Sequence, residues 1–148
     1  MKADLVSRSD LERVVNRFYE HILADAQLAP FFNQHFRVHF DKHLPRMYDY
    51  WENVLLHTGT YHGNPMRTHQ LLHHQHPMQP ADFKRWLQLF HTTVDELFEG
   101  PQAHELKLRA RNIAFLMEAR VTNALPDEAA YEAMLPSTTN QSTQETVQ

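Results

Sequence analysis

Apolar residues recur at three- and four-residue spacing along most of the chain, the period of helices buried on one face. Leu11, Val14, Val15, Phe18, Tyr19 and Ile22 form the first stripe behind a capping box of Ser9 and Glu12, which predicts a helix from about Asp10 to Ala24. Asp25 to Pro30 breaks it, and Phe31 with Phe32 fits only a short turn before a polar run from Asn33 to His39. Phe40, Leu44, Met47, Tyr48, Tyr50, Trp51, Val54 and Leu55 make a second stripe that ends near His57 to Gly59. Pro45 lacks an N–H, so this helix is expected to start close to Leu44, with the proline in its first turn and His43 at its entrance.

Pro65 then opens a short helix carrying Met66, His69, Leu72 and His73, and His76 to Pro80 breaks again. Asp82 begins a strong helix through Phe83, Trp86, Leu87, Phe90, Val94 and Leu97, stopped by Gly100 and Pro101. A last long helix follows with Leu106, Ala110, Ile113, Ala114, Met117 and Val121. No alternating segment of useful length competes, so the fold class is all-α. A further turn or two is expected from Asp127 to Met134, and the Ser/Thr/Gln/Asn-rich residues from Pro136 to Gln148 read as a disordered tail. The chain thus divides into one domain over 1–126 and a C-terminal extension, largely disordered, over 127–148.

The length of 148 residues suits a single domain with a core large enough to enclose a small cofactor. A formal net charge of −4 argues against nucleic acid as a partner. The chain has no cysteine, which excludes disulfides, zinc-thiolate sites, iron–sulfur clusters and a catalytic thiol. No run approaches the ~18 apolar residues of a membrane span. The expected address is cytoplasmic, and the expected state a monomer.

Twelve histidines change the picture, because metal or haem becomes the first chemistry to test. His35, His39 and His43 fall at four-residue steps, as do His69 and His73, a spacing that puts each pair on one helix face. Neither His-Glu-x-x-His nor Glu-x-x-His occurs, so a zinc protease or a carboxylate di-iron bundle lacks its ligands. A histidine-rich, non-haem helical bundle is left open by the count alone. His69 stands apart, on a short helix after a Gly-Asn-Pro turn with apolar neighbours, where a neutral imidazole suits the proximal side of a haem iron. A core histidine satisfied by a backbone carbonyl is the simpler reading of the same position. Tyr19 and Trp86 lie on otherwise apolar helix faces, and a buried phenol or indole needs a polar partner. That partner is either water at the surface or a bound diatomic molecule.

The order Phe18-Tyr19, Pro30, Phe32, His43-Leu-Pro-Arg-Met47, Tyr50-Trp51, Gly63-Asn-Pro65, His69 and Arg85-Trp86-Leu-x-Leu-Phe90 resembles the truncated haemoglobins of the third group. The match runs from about Leu11 to Val121. It implies a truncated globin, a two-over-two helical sandwich enclosing one haem b. By position it implies His69 as the iron ligand and Tyr19, His43 and Trp86 as the distal, ligand-stabilising set. Met47, Phe18 and Phe32 would line the distal cavity, while Phe90, Ile113 and Met117 would pack on the porphyrin. Arg46, Arg67 and Tyr61 are candidates for the haem carboxylates.

The function implied is reversible binding of O2, with NO and CO as further diatomic ligands and no dedicated catalytic residue. An enzymatic alternative is NO dioxygenation or peroxide chemistry, in which His43 moves protons. The chain offers no flavin or nicotinamide domain, so redox turnover would need a separate reductase.

Overall fold

A computed structural model describes residues 2–59 and 61–134. The first helix, α1, spans Arg8–Ala24 and buries the stripe Leu11, Val14, Val15, Phe18, Tyr19 and Ile22. Its cap is Ser7 rather than Ser9: the Ser7 hydroxyl accepts the Asp10 N–H, and the Asp10 carboxylate accepts the Val6 N–H. Glu12 is taken up instead by Arg8, one turn back on the same helix. After α1, Phe31–His35 forms a single π-type turn.

Helix α2 spans Phe40–Leu56 and begins a turn earlier than the proline suggests. Pro45 therefore lies inside it, at the cost of the bond its N–H would have made to the Asp41 carbonyl. The first turn closes regardless, with the N–H groups of Lys42 and His43 donating to the His39 carbonyl. Phe40 holds that turn by packing against Tyr19 and Phe32.

Helix α3, Pro65–Gln75, starts as expected, and the Asn64 side chain accepts the Arg67 N–H as its cap. Helix α4 spans Pro80–Leu97, with Asp82 as its third residue accepting the Gln79 N–H. Helix α5, Pro101–Thr122, is capped from the far end of the chain: the Asp4 carboxylate accepts the Gln102 and Ala103 N–H groups at 3.0 and 2.9 Å. Gly100 makes that approach possible, since its φ of 134° disfavours a side chain and a Cβ there would collide with Asp4.

Helices α1 and α2 pack together as one layer and α4 with α5 as the other, while α3 lies against α5. This is the two-over-two all-α arrangement expected. The packing continues beyond the boundary drawn at 126. A short helix, α6 over Glu128–Glu132, inserts Tyr131 fully into the core, where its hydroxyl donates to the buried Glu118 carboxylate at 2.8 Å. The turn expected between Asp127 and Met134 is present, and a single buried aromatic anchors it. The residues read as a disordered tail, 136–148, lie outside those described. Among the described residues, no helix is long and apolar enough to cross a membrane.

Candidate functional site

Tyr19 and His43 are brought together from α1 and α2. The phenol oxygen lies 2.9 Å from His43 Nε2, and Phe32 and Phe40 stand edge-on around the tyrosine ring. Burial raises the Tyr19 phenol well above its ordinary pKa, so it keeps its proton. His43 is lowered, chiefly by burial and further by the charges of Arg46 and His69. The pair is therefore neutral, with one proton on the phenol and one on the imidazole.

His69 stands on α3. Its Nδ1 lies 2.7 Å from the Pro65 carbonyl one turn earlier. A carbonyl only accepts, so Nδ1 carries the proton and Nε2 keeps its lone pair. Burial lowers the His69 pKa against the opposing pull of that carbonyl, which favours the neutral imidazole. The backbone bond foreseen as the simpler reading is real, and it also sets the tautomer that a metal needs.

Trp86, on α4, is half-buried, edge-on to Phe18 and stacked on Phe90. Its indole N–H has no acceptor among the described residues, yet no buried polar side-chain atom there lacks a partner. The N–H is thus open to a solvent-sized space, as a ligand donor requires. Phe32, Met47 and Ile113 are half-buried and pack on the same apolar cluster as Tyr19 and Phe90. A second, smaller cluster gathers Phe83, Met117 and Val121 with Met66 and Met78 beneath α3.

Other candidates separate. Arg46 and Tyr61 line one small groove, whereas Arg67 lines another between α3 and α5 with Arg120. His35, His39 and His43 do not share a helix face: His35 lies in the π-type turn, His39 is extended at the α2 cap, and His35 stacks on His76 at 4.1 Å. The four-residue spacing misleads because α2 begins only at Phe40. His73 is used by its own loop, its Nδ1 accepting the Met78 N–H. Among the described residues no group of three His, Asp or Glu side chains is arranged to hold a metal.

Two contributors were missed in the sequence. Phe40 touches both Tyr19 and His43, a role its three-residue spacing from His43 would have signalled. Arg85 clamps Asp25 at 2.6 Å and so fixes α4, with Trp86, against the end of α1. No local pattern marks that pair.

The sequence pattern of the bacterial-like globin family matches residues 5–123. A group 3 truncated hemoglobin, ctb, of Campylobacter jejuni is 26% identical over 117 residues, which is 77% of this chain and 90% of that protein. The crystal structure of a group III truncated hemoglobin from Campylobacter jejuni matches the fold with a TM-score of 0.72 at 23% identity, covering 82% of this chain and 95% of that one. The chain belongs to the bacterial-like globin family, and the resemblance to third-group truncated haemoglobins holds in both sequence and fold. It is accordingly a globin-type haem-binding protein.

Proposed function

We propose that the protein holds haem b through His69 and binds O2 reversibly beside Tyr19, His43 and Trp86, with NO and CO as further ligands. The observation that carries this reading is the Nδ1 bond of His69 to the Pro65 carbonyl, which leaves Nε2 as a neutral electron-pair donor. The residues fit the group, with two apolar clusters and a single imidazole of the right tautomer. When bound, haem supplies an iron with one coordination position for a diatomic gas.

The chain's own residues supply the selectivity. Tyr19 keeps its proton at neutral pH and can donate it either to His43 or to a polar ligand. Trp86 offers a second donor. Phe32, Met47, Phe90 and Ile113 exclude water and favour an apolar ligand over it. The Tyr19 bond to His43 also supports a second reading, in which His43 relays protons during NO dioxygenation or peroxide reduction with electrons from a separate reductase.

Absorption spectra of the ferric, dithionite-reduced and CO-bound protein, with a pyridine haemochrome count, test the proposal. One haem b per chain that is lost in His69→Ala is the expected result. Equal haem retention by wild type and His69→Ala would overturn the ligand assignment.

A further inference from the structure

Four oxidisable rings run in contact from the candidate site to a surface groove. Trp86, which meets Tyr19 across Phe18, lies nearly parallel to Trp51 with ring centroids 6.2 Å apart. Phe90 stacks on both, at 5.5 and 4.6 Å. Trp51 meets Tyr50 edge-on at 5.2 Å, and Tyr50 meets Tyr61 edge-on at 5.1 Å. Tyr61 is half-buried and lines an open groove of about 240 Å³ with Arg46, Asp49, His62 and Gly63.

Packing alone would be served by leucine or phenylalanine at these positions. Tryptophan and tyrosine differ in surrendering a single electron far more readily. We infer that Trp86, Trp51, Tyr50 and Tyr61 form a relay for single electrons between the site and the surface groove, with Tyr61 as its outer end. The inference rests on the haem reading above, and the oxidant it names is hydrogen peroxide. One hydrogen peroxide takes two electrons and two protons to become two waters. Each electron leaves Tyr61 with one proton, and a small phenolic reductant at the groove restores the tyrosine, so two reductant molecules end as neutral phenoxyl radicals and the haem is unchanged.

The outer end is Tyr61 because a phenol that loses its electron must also lose its proton. Tyr50 packs between Trp51 and Tyr61 and does not line the groove, so the proton has its shortest way out from Tyr61. Tyr61 lines an open groove beside His62. Gly63 keeps it there, since a Cβ at that position would overlap the Tyr61 phenol.

The test treats the haem-loaded protein with equimolar hydrogen peroxide and a nitroso spin trap, then maps the adduct on peptides. Adduct at Tyr61 is expected in the wild type, and a several-fold loss of it in Trp51→Phe at equal haem content. Trp51 is buried, so Tyr50→Phe, which keeps the ring and removes only the hydroxyl, provides a second interruption with the same expected loss. Undiminished adduct at Tyr61 in both variants, or adduct confined to Tyr19 or Tyr48, would overturn the relay while leaving the haem site intact. A wild-type protein that takes up no haem would overturn the haem reading and the relay with it.

Discussion

The Tyr19 phenol and His43 Nε2, 2.9 Å apart, share a hydrogen bond that can run in either direction. When Nε2 is bare, the phenol donates to it and its proton is engaged. When Nε2 carries the ring proton, the imidazole donates to the phenol oxygen and the hydroxyl is free for a ligand. The His43 tautomer therefore controls the availability of the Tyr19 donor.

This leads to a kinetic expectation. Tyr19→Phe should speed O2 release by the equivalent of about 1–3 kcal/mol while changing CO release little, because CO draws less on a donor. A double-mutant cycle with His43→Leu should give a coupling energy of about 0.5–3 kcal/mol for O2 release. Stopped-flow displacement checks both, and additive effects would show that the two residues act separately.

Acid should weaken the haem-free protein in two stages. His43 and His69 are lowered chiefly by burial, so as pH falls through about 6.5 the unfolded chain takes up protons before the folded one. Their stabilisation is full above that pH and declines below it. Urea midpoints recorded from about pH 8 to pH 5 should fall, and His43→Leu should flatten the slope.

The second stage belongs to Asp25. Burial works against its charge, but Arg85 and backbone N–H groups outweigh that and hold the carboxyl below its usual range. Its contribution is present above about pH 4 and is lost as pH falls through the folded value. Arg85→Ala should cost about 1–3 kcal/mol in urea unfolding at neutral pH, since it strips two charged hydrogen bonds from a nearly buried carboxylate. A loss near zero would show that the clamp is only a surface pair.

Tyr131 predicts where the domain ends. A chain stopped after Pro126 should lose about 1.5–3 kcal/mol for the buried ring alone, and among the described residues the Glu118 carboxylate would keep only Lys84 as its side-chain partner. Tyr131→Phe should cost about 1–2 kcal/mol through the hydrogen bond. Thermal melts of the two variants separate ring burial from hydrogen bonding. A truncated chain as stable as the full one would support a domain that ends at 126.

Much of the site is legible as positions and little as geometry. Tyr19, His69 and Trp86 each fall on a helix that periodicity shows, and His43 at the entrance of one. That Tyr19 meets His43, that His69 donates to Pro65, and that Phe40 seals the pair depend on where α2 starts. Pro45 gave the wrong answer there, because one lost backbone bond is outweighed by burying Phe40 against Tyr19 and Phe32.

The sequence by itself determined the all-α class, the long helices and the identity of the polar groups on their apolar faces. Those properties follow from local hydrogen bonding and from a period that each segment carries within itself. Only the tertiary structure decided that Asp4 caps α5, that Arg85 reaches Asp25, and that Tyr131 completes the core. Each of these joins residues far apart in the chain, and such contacts are set by how helices cross, which no local spacing encodes.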